Sequence, residues 1–174
     1  MNRLALERLD PKPGERVLEV GFGGGGLLME LLRAGAEPIG VDVSEAMVKR
    51  GRRRCPAARL HLASVERLPL GTGAIDKAVS LNSLYFWPDV TAGFAELARV
   101  LRPGGRLVLG FEPPEELRKW PGHRYGFRLY EVEEVKALLA AAGFEDVQES
   151  WGTGRKPDRF CCLTAAREAA ETRP

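Results

Sequence analysis

Apolar residues along the chain fall into short dense runs, separated by breaks rich in glycine, proline or charge. Residues 16–20 form one such run. It passes through a glycine cluster into 26–33, where leucines recur at helical spacing until Gly35, which predicts strand, tight turn and helix. An amphipathic helix is predicted at 2–9, stopped by Pro11 and Pro13, and reads as cover rather than core. Further strands are predicted at 38–42, 59–63, 75–82 and 106–110, the last after an Arg-Pro-Gly-Gly turn. Ser44 is placed to cap a helix reaching Arg54, and another helix spans 90–101. Strand and helix alternating in this way predict an α/β fold with a parallel sheet covered on both faces. A last helix at 132–142 stops at Gly143, and 145–151 and 160–164 read as an antiparallel pair. Residues 112–128 form a long irregular stretch, and loops of that length often serve function.

With 174 residues the chain suits one domain, long enough to bury roughly 70% of its unfolded surface. Its 26 basic and 24 acidic residues nearly cancel, which gives no sign of a dedicated nucleic-acid binder. The three cysteines are odd in number, and Cys161 and Cys162 point to opposite faces of a strand, which argues against a disulfide framework. No apolar stretch is long enough for a signal peptide or a spanning helix, so a cytoplasmic location is expected. Arginine outnumbers lysine, and only Asn2, Asn82 and Gln148 carry side-chain amides. Life at high temperature would produce that thrift, and so would genome base composition.

Gly21, Gly23 and Gly26 satisfy G-x-G-x-x-G between a strand and a helix, with Asp42 ending the next strand. Two cofactors fit this pattern. A dinucleotide would rest its pyrophosphate on the helix N-terminus and its ribose on Asp42. S-adenosylmethionine needs the same close backbone approach but no phosphate cradle. Glu19 separates the two readings, since a carboxylate two places before Gly21 repels a pyrophosphate and attracts the ammonium of a methionine moiety.

LEVGFGGGG, GVDVSEAMV, LASVERLPL, AIDKAVSLNSLYFWPD and LRPGGRLVL, in that order, resemble the class I S-adenosylmethionine-dependent methyltransferases. The likeness is to the small-molecule branch related to the ubiquinone and menaquinone C-methylating enzymes, the type 11 methyltransferases, and spans nearly the whole chain. It implies a Rossmann-like three-layer fold with a seven-stranded sheet ordered 3-2-1-4-5-7-6 and strand 7 antiparallel. It implies that Glu19, Gly21, Gly23 and Gly25 surround the methionine portion, that Asp42 takes both ribose hydroxyls, and that Val43 and Met47 flank the adenine. Ser64 stands where the family commonly has the Asp that reads the adenine amino group, while Val65 retains its backbone N–H. Asn82 would lie beside the methyl group, and residues 83–87 would line the acceptor side.

Bland alternatives stand beside several of these roles. Asp42 would also serve as a helix cap, and Val43 and Met47 as ordinary core residues. Methyl transfer from a sulfonium needs positioning more than a base. Where the acceptor is acidic, His123 in the GHRYG segment is the candidate base and Tyr85 a second candidate catalytic residue. Tyr85, Phe86 and Trp87 would equally serve the core, and His61 falls within strand three as a structural residue. Asn82 to Tyr85 faintly resembles the N-P-P-Y motif of amine-methylating enzymes, but Ser83 and Leu84 replace both prolines. KRGRRR, residues 49–54, reads as a solvated helix end complementing the helix dipole, and residues 118–128 as a lid or a surface loop.

The expected activity is therefore methyl transfer from S-adenosylmethionine to a small-molecule acceptor, within one domain covering 1–174 that helix 2–9 and loop 112–128 partly cover. No metal, nucleic acid or membrane span is expected, and no oligomeric state is assigned. The rivals are an NAD(P)-binding oxidoreductase, a non-catalytic nucleoside-binding module and an RNA methyltransferase.

Overall fold

The structure is a computed structural model describing residues 1–121, 126, 128–154 and 159–169. Strands β1 (Arg16–Val20), β2 (Glu37–Asp42), β3 (Arg59–Leu62), β4 (Ile75–Leu81), β5 (Leu101–Phe111), β6 (Phe144–Thr153) and β7 (Arg159–Arg167) form one sheet. Its order is β3-β2-β1-β4-β5-β7-β6. The first five strands are parallel, and β7 runs antiparallel between β5 and β6. This is the Rossmann-like order the resemblance implied.

Among the described residues, helices α1 (Asn2–Leu9), α2 (Gly26–Arg33), α3 (Glu45–Arg54), α4 (Val90–Val100), α5 (Pro114–Leu117) and α6 (Val132–Ala141) flank the sheet. Central strands bury both faces, so they read as continuous apolar runs rather than alternating ones. On one face Phe94 and Leu97 of α4 and Val135 and Leu139 of α6 pack with Leu18, Leu109 and Cys161. On the other, Leu27 and Leu31 of α2 pack with Val17, Val79, Val108 and Cys162. Fully burying a side chain of the size of Phe94 contributes roughly 1.5–3 kcal/mol, so each layer is held mainly by apolar contact. The adjacent cysteines do face opposite layers, and all three cysteines are free.

Three expectations need correction. Helix α1 is core as well as cover: Ala5 and Leu9 are fully buried in the same cluster as Val17 and Val108. Lys77 Nζ donates to the Asp10 carbonyl just beyond this helix, at 2.5 Å. Strand β5 begins at Leu101, not Arg106. Ile75 pairs with Leu101 and Lys77 with Arg106, so the Pro-Gly-Gly segment is a bulge inside the strand, with Gly104 at φ +70°. Stretch 112–128 is not wholly irregular, because Pro113 and Pro114 open the short helix α5. Among the described residues no helix is long and apolar enough to cross a membrane.

The parallel strands deliver their carboxyl ends to one edge of the sheet. Connections from β1 and β4, its two central neighbours, leave in opposite directions and open a crevice there, where ligands of such folds bind.

Candidate functional site

The turn after β1 is built by glycines in a conformation other residues adopt only with strain. Gly21, Gly23 and Gly25 have φ of +72°, +49° and +72°. Gly21 N–H donates to the Val41 carbonyl at 2.8 Å, which draws the chain toward β2. Phe22 turns inward instead of outward: its ring fills the space that Cβ atoms on Gly40 and Gly51 would occupy, at 2.7 and 2.8 Å. That wedge lets β2, α3 and the turn approach one another. The glycines at 40 and 51 were its only sequence signal.

Asp42, at the end of β2, faces the turn. Its Oδ2 accepts the Gly23 N–H and its Oδ1 the Ser44 N–H, each at 2.9 Å. Ser44 caps α3, its Oγ accepting the Met47 N–H at 3.4 Å. Asp42 therefore spans the turn and the helix start, and each oxygen keeps a further lone pair for a ligand.

Glu19 lies beneath the turn on the α2 side. It is 5% exposed, and one carboxyl oxygen, Oε2, has no hydrogen-bond partner. Burial pushes its pKa up to about 8 against a bond from the Leu28 backbone N–H, and the nearby Asp42 charge pushes the same way. A buried carboxyl with an unmet oxygen suits a cation arriving from outside.

Beside the turn lies a cavity of about 220 Å³ whose lining includes Gly21, Asp42, Val43, Ser64, Val65 and Asn82 together with Phe86, Trp87 and Pro88. Val43 is 71% exposed, which apolar packing does not explain. Met47 is not on this wall and packs instead against the Phe22 and Leu28 cluster. Ser64 Oγ donates to Glu66 Oε2 at 3.2 Å, and Val65 is buried. Asn82 leaves β4 with φ +52°, its N–H donating to the Gly110 carbonyl.

The segment after Asn82 folds back as a short 3-10 turn, Leu84–Phe86. Trp87 Nε1 donates to Ser83 Oγ at 3.0 Å, and the indole stands edge-on to Phe94. Tyr85 does not line the cavity. It is buried, and its hydroxyl lies 3.4 Å from both Asn82 Oδ1 and the Glu112 carbonyl while accepting the Glu112 N–H, so it ties the ends of β4 and β5 together. Burial raises its pKa far above the usual phenol range, which disfavours a proton-carrying role. His61 sits in β3, half-buried, and His123 lies outside the described residues.

Sequence reasoning missed Arg54, the last residue of KRGRRR, whose Nη1 donates to the Gly24 carbonyl at 3.0 Å. No local pattern announces a partner 30 residues away. Arg52, Arg53 and Arg54 do fill the last turn of α3, where cations complement the helix dipole.

The site fits the methionine-containing nucleoside better than a dinucleotide. A Cβ on Gly23 would meet nothing within 4 Å, so the turn leaves space there, and the buried carboxyl beneath it can ionise against an ammonium but offers a pyrophosphate no positive charge.

Comparison with known proteins agrees. The methyltransferase domain family matches residues 18–109. An uncharacterized methyltransferase of Bacillus subtilis, YdaC, is 33% identical over 173 residues, covering 97% of this chain and 92% of that protein. A demethylmenaquinone methyltransferase of Corynebacterium kroppenstedtii is 40% identical over 103 residues, covering 59% of this chain; the match spans only 44% of that longer protein. Among solved structures, a putative methyltransferase of Haloferax volcanii in complex with the Trm112 methyltransferase activator superposes with a TM-score of 0.86 at 18% identity, over 95% of this chain and 88% of the other. The glycine turn, the acidic end of β2 and the sheet order thus meet in a chain that belongs to the methyltransferase domain family and transfers methyl groups from S-adenosylmethionine.

Proposed function

We propose that the acceptor is a small molecule with an apolar body whose nucleophile is already ionised or readily so. The observation that carries this reading is the part of the cavity lining not assigned to the cofactor: Ser83, Phe86, Trp87 and Pro88 bring aromatic and apolar surface and no charged side chain. A wall of that kind holds a flat apolar body by contact and offers no fixed charge to pair with a phosphate or an amine. The demethylmenaquinone methyltransferase among the relatives supports the same acceptor class, although this chain matches under half of it.

On this reading Glu19, Gly21, Gly23 and Gly25 hold the methionine portion, Asp42 the ribose hydroxyls, and Val43, Ser64 and Val65 the adenine, with Asn82 beside the reacting carbon. The sulfonium supplies an electrophilic methyl carbon. Transfer of that carbon to the acceptor's lone pair would leave the carbon–sulfur electron pair on sulfur, as a neutral thioether. The protein's task is alignment and water exclusion, for which up to about 7–11 kcal/mol is available from proximity. Tyr85 acts by holding Asn82, not by moving a proton. One domain covering 1–174 is proposed, with α1 and residues 112–121 around the acceptor side, and nucleic acid is not proposed as a partner. Three free, buried cysteines suit a reducing cytoplasm.

The test offers S-adenosylmethionine with a panel of quinols and phenols, aliphatic amines and structured RNA, and reads methylated product by mass spectrometry. Methylation within the quinol and phenol set is expected. Transfer confined to RNA or to charged amines would defeat the proposal.

A further inference from the structure

The cluster that ends α3 is partly absorbed into the donor site. Arg54 Nη1 donates to the Gly24 carbonyl at 3.0 Å, and its Nε lies 3.2 Å from Met29 Sδ. The next residue, Cys55, is 1% exposed, and its Sγ donates to the Gly25 carbonyl at 3.5 Å. From the other side Asp42 Oδ2 takes the Gly23 N–H. Three consecutive glycines are thus each fastened, at one peptide group, to chain 19 to 30 residues away.

Fastening matters because this backbone is unusually free when released. Glycines populate positive and negative φ about equally, so a turn of them samples many forms unless tertiary contacts select one. A turn that must be ordered when its ligand arrives binds more weakly than one already ordered. We propose that Arg54 and Cys55 are positioning residues for the donor site: acting from the end of α3, they hold the Gly24 and Gly25 carbonyls so that the turn is set before S-adenosylmethionine enters. The proposal deepens the assignment of the glycine turn to the methionine portion.

Charge gives the proposal a sign. S-adenosylmethionine carries a sulfonium, an ammonium and one carboxylate, hence a net positive charge. If Arg54 acted only through its field, removing it would tighten binding. If it acts by fastening the turn, removing it weakens binding. The two accounts therefore predict opposite changes.

The experiment compares wild type, Arg54→Met, which keeps the stem beside Met29 but loses the donor, Arg54→Lys, which restores one donor, and Arg53→Met as a neighbouring charge control. Cys55→Ala and Cys55→Ser remove and retain the second donor. S-adenosylmethionine affinity is read by calorimetry, and amide exchange over residues 22–26 is followed in free and bound protein. Arg54→Met should weaken binding about three- to tenfold, with faster exchange in the free protein that returns to wild-type rates once the ligand is bound. Arg54→Lys and Cys55→Ser should recover most of the affinity, and Arg53→Met should not weaken it. Unchanged or tighter binding by Arg54→Met, unchanged exchange in that free variant, or an equal loss in Arg53→Met would overturn the proposal. Failure of the wild type to bind S-adenosylmethionine would instead sink the donor assignment, and exchange in the free protein would still decide whether Arg54 fastens the turn.

Discussion

Asp42 Oδ2 accepts the Gly23 N–H at 2.9 Å, so the carboxylate proposed to hold the ribose also fixes the turn proposed to hold the methionine. Its second oxygen bonds the Ser44 N–H at the start of α3. Asp42→Ala removes both supports together with the proposed ribose bonds. Binding of S-adenosylhomocysteine, read by calorimetry, should weaken by about 2–4 kcal/mol in a variant that remains folded. Affinity within twofold of wild type would remove Asp42 from the ribose role.

Two glycines of the turn should respond differently to alanine. At Gly21 a Cβ would lie 2.3 Å from Ser83 Oγ, and φ is +72°, so Gly21→Ala should destabilise the free protein, with Ser83→Gly restoring part of the loss. At Gly23 the same Cβ meets nothing within 4 Å, leaving backbone strain alone at about 1–2 kcal/mol. Gly23→Ala should therefore fold with only that modest loss of stability yet lose cofactor binding, if the open space is the ligand's as proposed. Wild-type affinity in Gly23→Ala would show that the ligand stays clear of this glycine.

Glu19 makes stability depend on pH in an unusual direction. Its folded pKa, about 8, is raised above the ordinary value of 4.5, so the folded protein retains a proton that the unfolded chain gives up. That contribution is whole below about pH 4.5 and is lost as pH rises toward 8. Denaturant unfolding of the free protein from pH 5 to 8.5 should show declining stability from this group, and Glu19→Gln should remove that part of the slope. A cationic ligand favours the ionised form, so S-adenosylmethionine should bind more tightly as pH rises through 8 and release a proton below it. Binding enthalpies that do not vary with buffer ionisation at pH 7 would contradict this.

Tyr85 should matter to the acceptor side without touching the cavity. Tyr85→Phe keeps the ring but leaves the Glu112 N–H without its phenol acceptor and removes the donor near Asn82 Oδ1. A loss of about 1–3 kcal/mol in urea unfolding is expected for such a buried group. A variant as stable as wild type would show that the phenol does not tie β4 to β5.

Most elements were readable because their signals are local. Breakers and apolar periods placed α1, β1 and α2 at the residues observed, and Ser44 marked the start of α3. Strand β5 was misjudged because Pro103 and Gly104 usually end a strand, whereas here Arg102 and the Arg16 N–H both bond Asp76 beside the bulge between β4 and β5. Helix α1 looked like cover because half its residues are polar, yet Ala5 and Leu9 are fully buried in the core and Leu4 and Leu6 pack beside them. Phe22 escaped notice as a wedge because its glycine partners lie 18 and 29 residues further on.

What the amino-acid sequence determined by itself was the order of strands and helices, the glycine turn and the acidic residues beside it, since each rests on a short stretch obeying its own steric rules. Tertiary structure alone decided that Glu19 is buried with an unmet oxygen, that Tyr85 faces inward and that Arg54 reaches Gly24. Burial and long-range hydrogen bonds depend on which distant segments share a space, and only the assembled fold brings those segments together.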